Sequence, residues 1–199
     1  MPDDLNFRGH QSAHQTASHS LPGLEMLADG RVHEATGPGR MTFALALAGQ
    51  LAGAVLWLQD RRQGQTLYPN GIAEYFDPAR LIYVRPTGQL EMLQLTEEAL
   101  RSGAAPLVVV DLQEAPDLTE SRRLQLAAGT GGGRGLCLIP EGRLKTNAAE
   151  TRWSCMPMPG GCARQHWEIV KNKRGRLGKW QAAWDGTAFR AVEEAPEPA

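Results

Sequence analysis

Residues 31–53 read RVHEATGPGRMTFALALAGQLAG. RVHEA has the pattern of a strand, Gly37-Pro38-Gly39 is a turn, and the Ala/Leu-rich stretch over about 41–53 predicts a helix. A strand that breaks at glycines and opens a helix is the frame of a phosphate-binding loop. There, backbone N–H groups wrap the phosphates, a lysine reaches the outer ones and a Ser or Thr hydroxyl holds magnesium. The working motif is G-x-x-x-x-G-K followed by Ser or Thr. Counted from Gly37, the lysine position is Phe43 and the hydroxyl position is Ala44. Arg40 offers a charge and Thr42 a hydroxyl, both at other offsets. The candidate contacts of this degenerate loop are Gly37, Pro38, Gly39, Arg40 and Thr42. Tight triphosphate binding with turnover is not expected; ATP remains the one ligand the loop suggests, and no cofactor is required.

Outward from this corner the chain alternates. AVLWLQ (54–59) reads as a strand, PNGIAEYFD (69–77) as a short helix and LIYVR (81–85) as a third strand. A helix follows over about 88–102, with Leu90, Leu93, Leu95 and Leu100 close to helical spacing. PLVVVDL (106–112) is an unbroken apolar run, the kind a strand shows when both faces are covered. LTESRRLQLAAG (118–129) predicts a helix with Thr119 as N-cap and Gly129 as stop. GLCLIP (135–140) is the next strand. Regular alternation of this kind predicts an α/β fold, a mostly parallel sheet with helices on both faces. From about 151 the rhythm changes: TRWSCM, HWEIVKNK and GKWQAAWDG predict an antiparallel β extension at the C-terminal end.

The whole composition agrees with one such domain. The chain has 199 residues, 42% of them hydrophobic, and a net charge of −1, which gives no global attraction to nucleic acid or anionic membrane. Residues 1–20, rich in His, Gln and Ser, predict a disordered polar arm, and its His10, His14 and His19 a floppy leader rather than a metal tract. The core is expected over 21–188, with an acidic tail over 189–199. No apolar run is long enough to span a membrane and the N-terminus is no secretory signal, so a cytoplasmic protein is expected. Cys137 lies in an apolar run and reads as core. Cys155 and Cys162, separated by Pro and Gly, read as loop positions, and no metal site is expected.

Four further features carry candidate chemistry. Asp111 ends the apolar run where a P-loop ATPase carries its metal-directed aspartate, or it caps the strand end. Asp60 follows the second strand, where such folds can place a water-activating carboxylate, but beside Arg61 and Arg62 an exposed ion pair is expected. Between Arg164 and Trp180 six basic residues stand against the single Glu168. This basic hairpin carries Lys171, Lys173, Arg174 and Arg176, and on a strand Lys171 and Lys173 share one face, suiting a phosphate or a carboxylate-rich partner. The flanking tryptophans are expected to pack on the sheet. The loop 141–151 leaves the last α/β strand with Arg143 and Lys145, either an ordinary connection or a site for DNA or a partner.

Taken together, GRVHEATGPG, LYPNGIAEYFDPARLIYVRP, LVVVDL and VKNKRGRLGKWQAAWDG resemble, in order, the ATPase core of RecA-type recombinases. With SRRLQLAAGTGG after Asp111 and TRWSC before the hairpin, the chain more closely resembles the ImuA family, RecA-related proteins encoded in bacterial damage-inducible mutagenesis cassettes. The resemblance covers about residues 22–187. It implies a protein of the SOS response, at the nucleoid, that acts with RecA, with an ImuB-type polymerase-like protein and with an error-prone polymerase in translesion synthesis. The Gly-Lys-Ser/Thr element of recombinases is missing, and neither a counterpart in the arm of the helix that docks on a neighbouring protomer nor a C-terminal DNA-gathering domain is expected. The resemblance also implies that Lys171 and Lys173 match lysines that, in RecA filaments, reach the nucleotide of the adjacent protomer. A non-catalytic accessory protein that caps or remodels a filament end is therefore expected. The alternatives are a divergent RecA-like ATPase and a single-stranded DNA binder.

Overall fold

The computed structural model describes residues 21–64, 66–159 and 164–192. The polar arm with its three histidines, Cys162 and most of the acidic tail lie outside them. The chain order is β1 (Val32–Thr36), α1 (Arg40–Gln50), β2 (Val55–Gln59), α2 (Pro69–Ala73), β3 (Leu81–Val84), α3 (Gln89–Ser102), β4 (Leu107–Asp111), α4 (Leu118–Gly131), β5 (Arg134–Ile139), β6 (Thr151–Pro157), β7 (Arg164–Asn172), β8 (Lys179–Trp184) and β9 (Phe189–Ala191). All nine strands form one sheet in the order β3-β2-β4-β5-β1-β6-β7-β8-β9. The first six in that row run parallel, and β7, β8 and β9 are added antiparallel.

Each strand–helix unit buries one face of the sheet. On one side lies α1, whose Phe43 meets Trp153 at 4.9 Å and Trp167 at 5.2 Å between ring centroids. Ala35, Val55, Trp57, Val109 and Leu138 complete that core. On the other side α3 and α4 cover Val108, Val110, Cys137 and Ile139 with Met92, Leu93, Leu100 and Leu124. The valines of β4 thus split between two cores, which is why the run carries no polar alternation. The tryptophans of the extension do pack on the sheet: Trp153 and Trp167 are buried, and Trp180 stacks on Trp153.

Several boundaries differ from those the sequence predicts. The N-cap of α4 is Asp117, not Thr119: its carboxylate accepts from the Glu120 N–H at 2.8 Å while Glu120 accepts from the Asp117 N–H at 2.8 Å, a reciprocal capping box. That helix runs past Gly129 and stops at Gly132, whose φ of 80° ends it. α1 stops at Gln50 because Leu51 turns extended. α2 spans five residues only. Leu90 sits outside the apolar stripe of α3, 71% exposed. β6 is not antiparallel to what precedes it but parallel to β1, reached by an irregular crossover over residues 140–150. Cys155 is not in a loop; it is buried in β6. Phe189, past the expected core boundary, is buried on β9. No described helix is long and apolar enough to cross a membrane.

Candidate functional site

The parallel strands point their C-terminal ends at the Gly37–Gly39 turn, at Asp111 and at the residues after β2, the edge where open α/β sheets place ligands. The turn is short. Gly37 has φ 90°, and a Cβ on it would lie 2.5 Å from the Cys155 carbonyl oxygen. A Cβ on Gly39 would lie 2.5 Å from the Gln165 amide oxygen and 3.0 Å from the same carbonyl. The Gly39 N–H donates to Cys155 O at 2.9 Å, and the Arg40 N–H and one guanidinium N–H both donate to Gly37 O at 3.2 Å. These glycines are thus required by the close approach of β6. Two of the N–H groups at this corner, those of Gly39 and Arg40, are thus already spent on protein carbonyls. Arg40, at the first position of α1, sets a positive charge against the positive end of the helix. Pro38 is exposed, and Thr42 lies half-buried in the first turn of α1.

Asp111 is brought beside this corner. It is buried, and burial raises its carboxyl above the usual carboxylate range, against the opposing Gln59 hydrogen bond and the Arg40 charge. Gln59, its register partner on β2, donates to it at 2.9 Å, and the Tyr83 hydroxyl donates to Gln59. Gln63 donates to the Asp111 carbonyl at 3.3 Å. Sequence reasoning missed Gln59, Gln63 and Tyr83; a polar residue closing β2 just where Asp111 closes β4 was the available signal. An open hollow of about 430 Å³ adjoins, lined by Met41, Gln59, Gly64, Thr66, Leu67 and Tyr68, with no charged side chain in its wall. Among the described residues no group of three His, Cys, Asp or Glu could hold a metal.

Asp60 forms the expected ion pair with a neighbouring arginine, and Arg62 is 65% exposed, but the Asp60 side of the pair is not. It is buried, takes a two-oxygen grip from Arg62 at 2.6–3.2 Å and accepts from the Gly88 N–H at 3.0 Å at the start of α3. The Arg62 guanidinium holds its carboxyl well below the usual carboxylate range. A carboxylate so committed has little basicity left to activate a water.

The basic hairpin lies at the other end of the sheet. β7 runs from Arg164, near the C-terminal end of β6, down to Asn172, which pairs with Thr151 at its start. Beyond it the tip, residues 173–178, passes the N-terminal end of the parallel strands. Lys171 and Lys173 reach one segment, as their spacing predicts, but that segment is the chain's own crossover. Their ammonium groups donate to Asn147 O at 2.8 Å and to Ala148 O at 2.6 Å. Burial, and next the Arg152 charge, pull the Lys171 ammonium below the usual lysine range. Arg174, at 3.2 Å, and Arg31, at 3.7 Å, pair with Glu150. Beneath them the buried Glu34 accepts from Arg152 at 2.7 Å and from Asn147. Arg143 and Lys145 lie upstream on the same crossover, Lys145 paired with Glu114 at 3.2 Å. Arg176 stands exposed at the tip. The structure therefore unites the hairpin with the crossover in one basic edge and separates it from the glycine turn.

No family model matches the chain. The Protein ImuA sequences of two Caulobacter vibrioides strains, NA1000 / CB15N and CB 15, are each 32% identical to it over 183 residues, spanning 80% of this chain and 74% of theirs. Identity at that level is sustained over most of both chains: the chain belongs to the ImuA family.

Proposed function

We propose that this chain is a non-catalytic, RecA-like accessory protein of the damage-inducible mutagenesis response, working by protein–protein contact in the cytoplasm at the nucleoid. Membership of the ImuA family supports the mutagenesis setting. The observation that carries the non-catalytic reading is the Cys155 carbonyl seated in the Gly37–Gly39 turn, where a phosphate would have to lie. The basic edge, at the opposite end of the sheet, is the part that would work. In a head-to-tail stack, one molecule's N-terminal sheet edge meets the C-terminal edge of the next. Arg174, Arg176 and the free donors of Lys171 and Lys173 would then face the nucleotide-bearing edge of a RecA protomer and cap a filament end. Contacts to an ImuB-type polymerase-like protein and an error-prone polymerase complete the proposed assembly.

Co-purification of RecA with the wild-type chain and with a Lys171→Ala/Lys173→Ala variant tests this reading. Binding should weaken while the circular dichroism spectrum is kept; full binding by a folded double variant sinks it. Calorimetry with ATP, and phosphate release with and without RecA and single-stranded DNA, separates it from a divergent ATPase. Direct binding of single-stranded DNA through Arg143, Arg174 and Arg176 would instead show affinity falling steeply with salt.

A further inference from the structure

We propose that the outward ridge of α4 docks an amphipathic helix of a partner protein, one with two apolar residues two turns apart and an Asp or Glu between them. α4 is already held on three sides. Toward α3 it is joined by the Arg123–Glu97 ion pair at 2.7 Å. Toward the crossover, the Ser121 hydroxyl accepts from the Ala148 N–H at 2.8 Å and the Gln125 amide donates to the Ala148 carbonyl at 3.0 Å. Toward the sheet it buries Leu124, Ala127 and Ala128. Leu118, Arg122 and Leu126 recur every four residues, so they share the remaining face. Leu126 is 72% exposed and Leu118 43%. One exposed leucine is ordinary, but two on a ridge about 12 Å long form a second apolar stripe on a helix that has already buried its first.

Charge and symmetry select the occupant. Arg122 stands midway between the two leucines, exposed, and its side chain makes no hydrogen bond or ion pair among the described residues. Arg143, also exposed and unpaired there, lies where the crossover passes the start of α4, its carbonyl accepting from the Ala115 N–H at 3.3 Å. Nearby carboxylates are committed elsewhere: Glu114 pairs with Lys145, and Asp117 and Glu120 close the capping box. Glu141, two residues before Arg143, is the exception. A second copy of this chain, docked through the same ridge about a two-fold axis, would set Arg122 against Arg122 at the centre, a like-charge contact. A partner helix with a carboxylate between two apolar residues instead satisfies the arginine and covers both leucines. This proposal rests on the reading of the chain as an interaction protein, but uses the helical layer rather than the hairpin or the glycine turn.

The test is selection from a phage-displayed library of helical peptides about sixteen residues long, randomised along one face, against the immobilised full chain. Fluorescence anisotropy then measures the enriched peptides. They should share two apolar residues eight positions apart with Asp or Glu midway. Leu126→Lys and Arg122→Glu, both at exposed positions, should each weaken binding by about tenfold or more while keeping the circular dichroism spectrum. A peptide whose central acid is changed to Lys should prefer the Arg122→Glu variant to the wild-type chain, a reversal that loss of folding cannot produce. Amide exchange over residues 118–131 should slow on binding. The Lys171→Ala/Lys173→Ala variant should bind these peptides like wild type, whatever it does to RecA. No enrichment, a consensus without the central acid, failure of the charge reversal, or protection confined to other elements would overturn the proposal. So would self-association of the wild-type chain that Leu126→Lys abolishes, which makes a second copy the occupant, or displacement of the peptides by single-stranded DNA, which gives the ridge to nucleic acid.

Discussion

At Gly37 the backbone takes a φ of 90° with the Cys155 carbonyl packed where a side chain would begin. Gly37→Ala is therefore expected to cost about 1–3 kcal/mol, seen as a lower urea midpoint, through strain and displacement of β6 rather than through any lost ligand. His33 offers a second residue-scale test. Its Nε2–H donates to the Ala28 carbonyl, so Nδ1 must accept from the Thr151 hydroxyl, which in turn accepts from the Trp153 indole. This buried chain has no place for a second proton, and burial lowers the His33 pKa from 6.5 to about 4. Between these values the unfolded chain takes up a proton that the folded chain refuses. Its contribution is thus complete above about pH 6.5 and falls as pH drops toward 4, by about 3 kcal/mol in all. Urea unfolding from pH 7 to pH 4 should show this slope, and His33→Gln should flatten it.

Among the elements, α4 shows how local signals decide a boundary. Thr119 and Asp117 are both cap-forming residues, and only Asp117 has a Glu three positions on to close the box. That spacing was legible, and Asp117→Ala should cost about 1 kcal/mol, read as a lower melting temperature with the same fold. Phe43, wedged between Trp153 and Trp167, joins the first helix to the antiparallel extension. Phe43→Ala should cost about 3–5 kcal/mol, and the loss of near-ultraviolet dichroism should report the loosened tryptophans. The direction of β6 was not legible in the same way. Its apolar alternation suits either direction, and the choice rests on register with β1, sealed by Arg152 and Glu34, 118 residues apart.

For the whole molecule, the arrangement of ends matters most. The glycine turn and the basic hairpin stand at opposite edges of one sheet, so the hairpin serves a neighbour or the chain's own crossover, never its own turn. Lys171 and Lys173 hold that crossover by two carbonyls. Their double replacement by Ala should therefore raise amide exchange over residues 145–150, whereas Arg176→Ala, at the exposed tip, should leave exchange unchanged. If Arg176→Ala nonetheless weakens RecA co-purification, the tip itself makes contact. If only the lysine pair matters, the shape of the crossover does.

The order of strands and helices, the doubly covered β4 and the missing lysine of the glycine loop were all present in the sequence, because periodicity, turn residues and motif spacing act within a few residues of one another. That burial would raise the Asp111 carboxyl, that Asp60 would be buried against the start of α3, and that the hairpin lysines would grasp Asn147 and Ala148 were not. Those outcomes depend on burial and on groups brought together from distant parts of the chain. The same holds for the corner at Gly37: its residues predict a turn, but only the packing of β6 brings the Cys155 carbonyl against it.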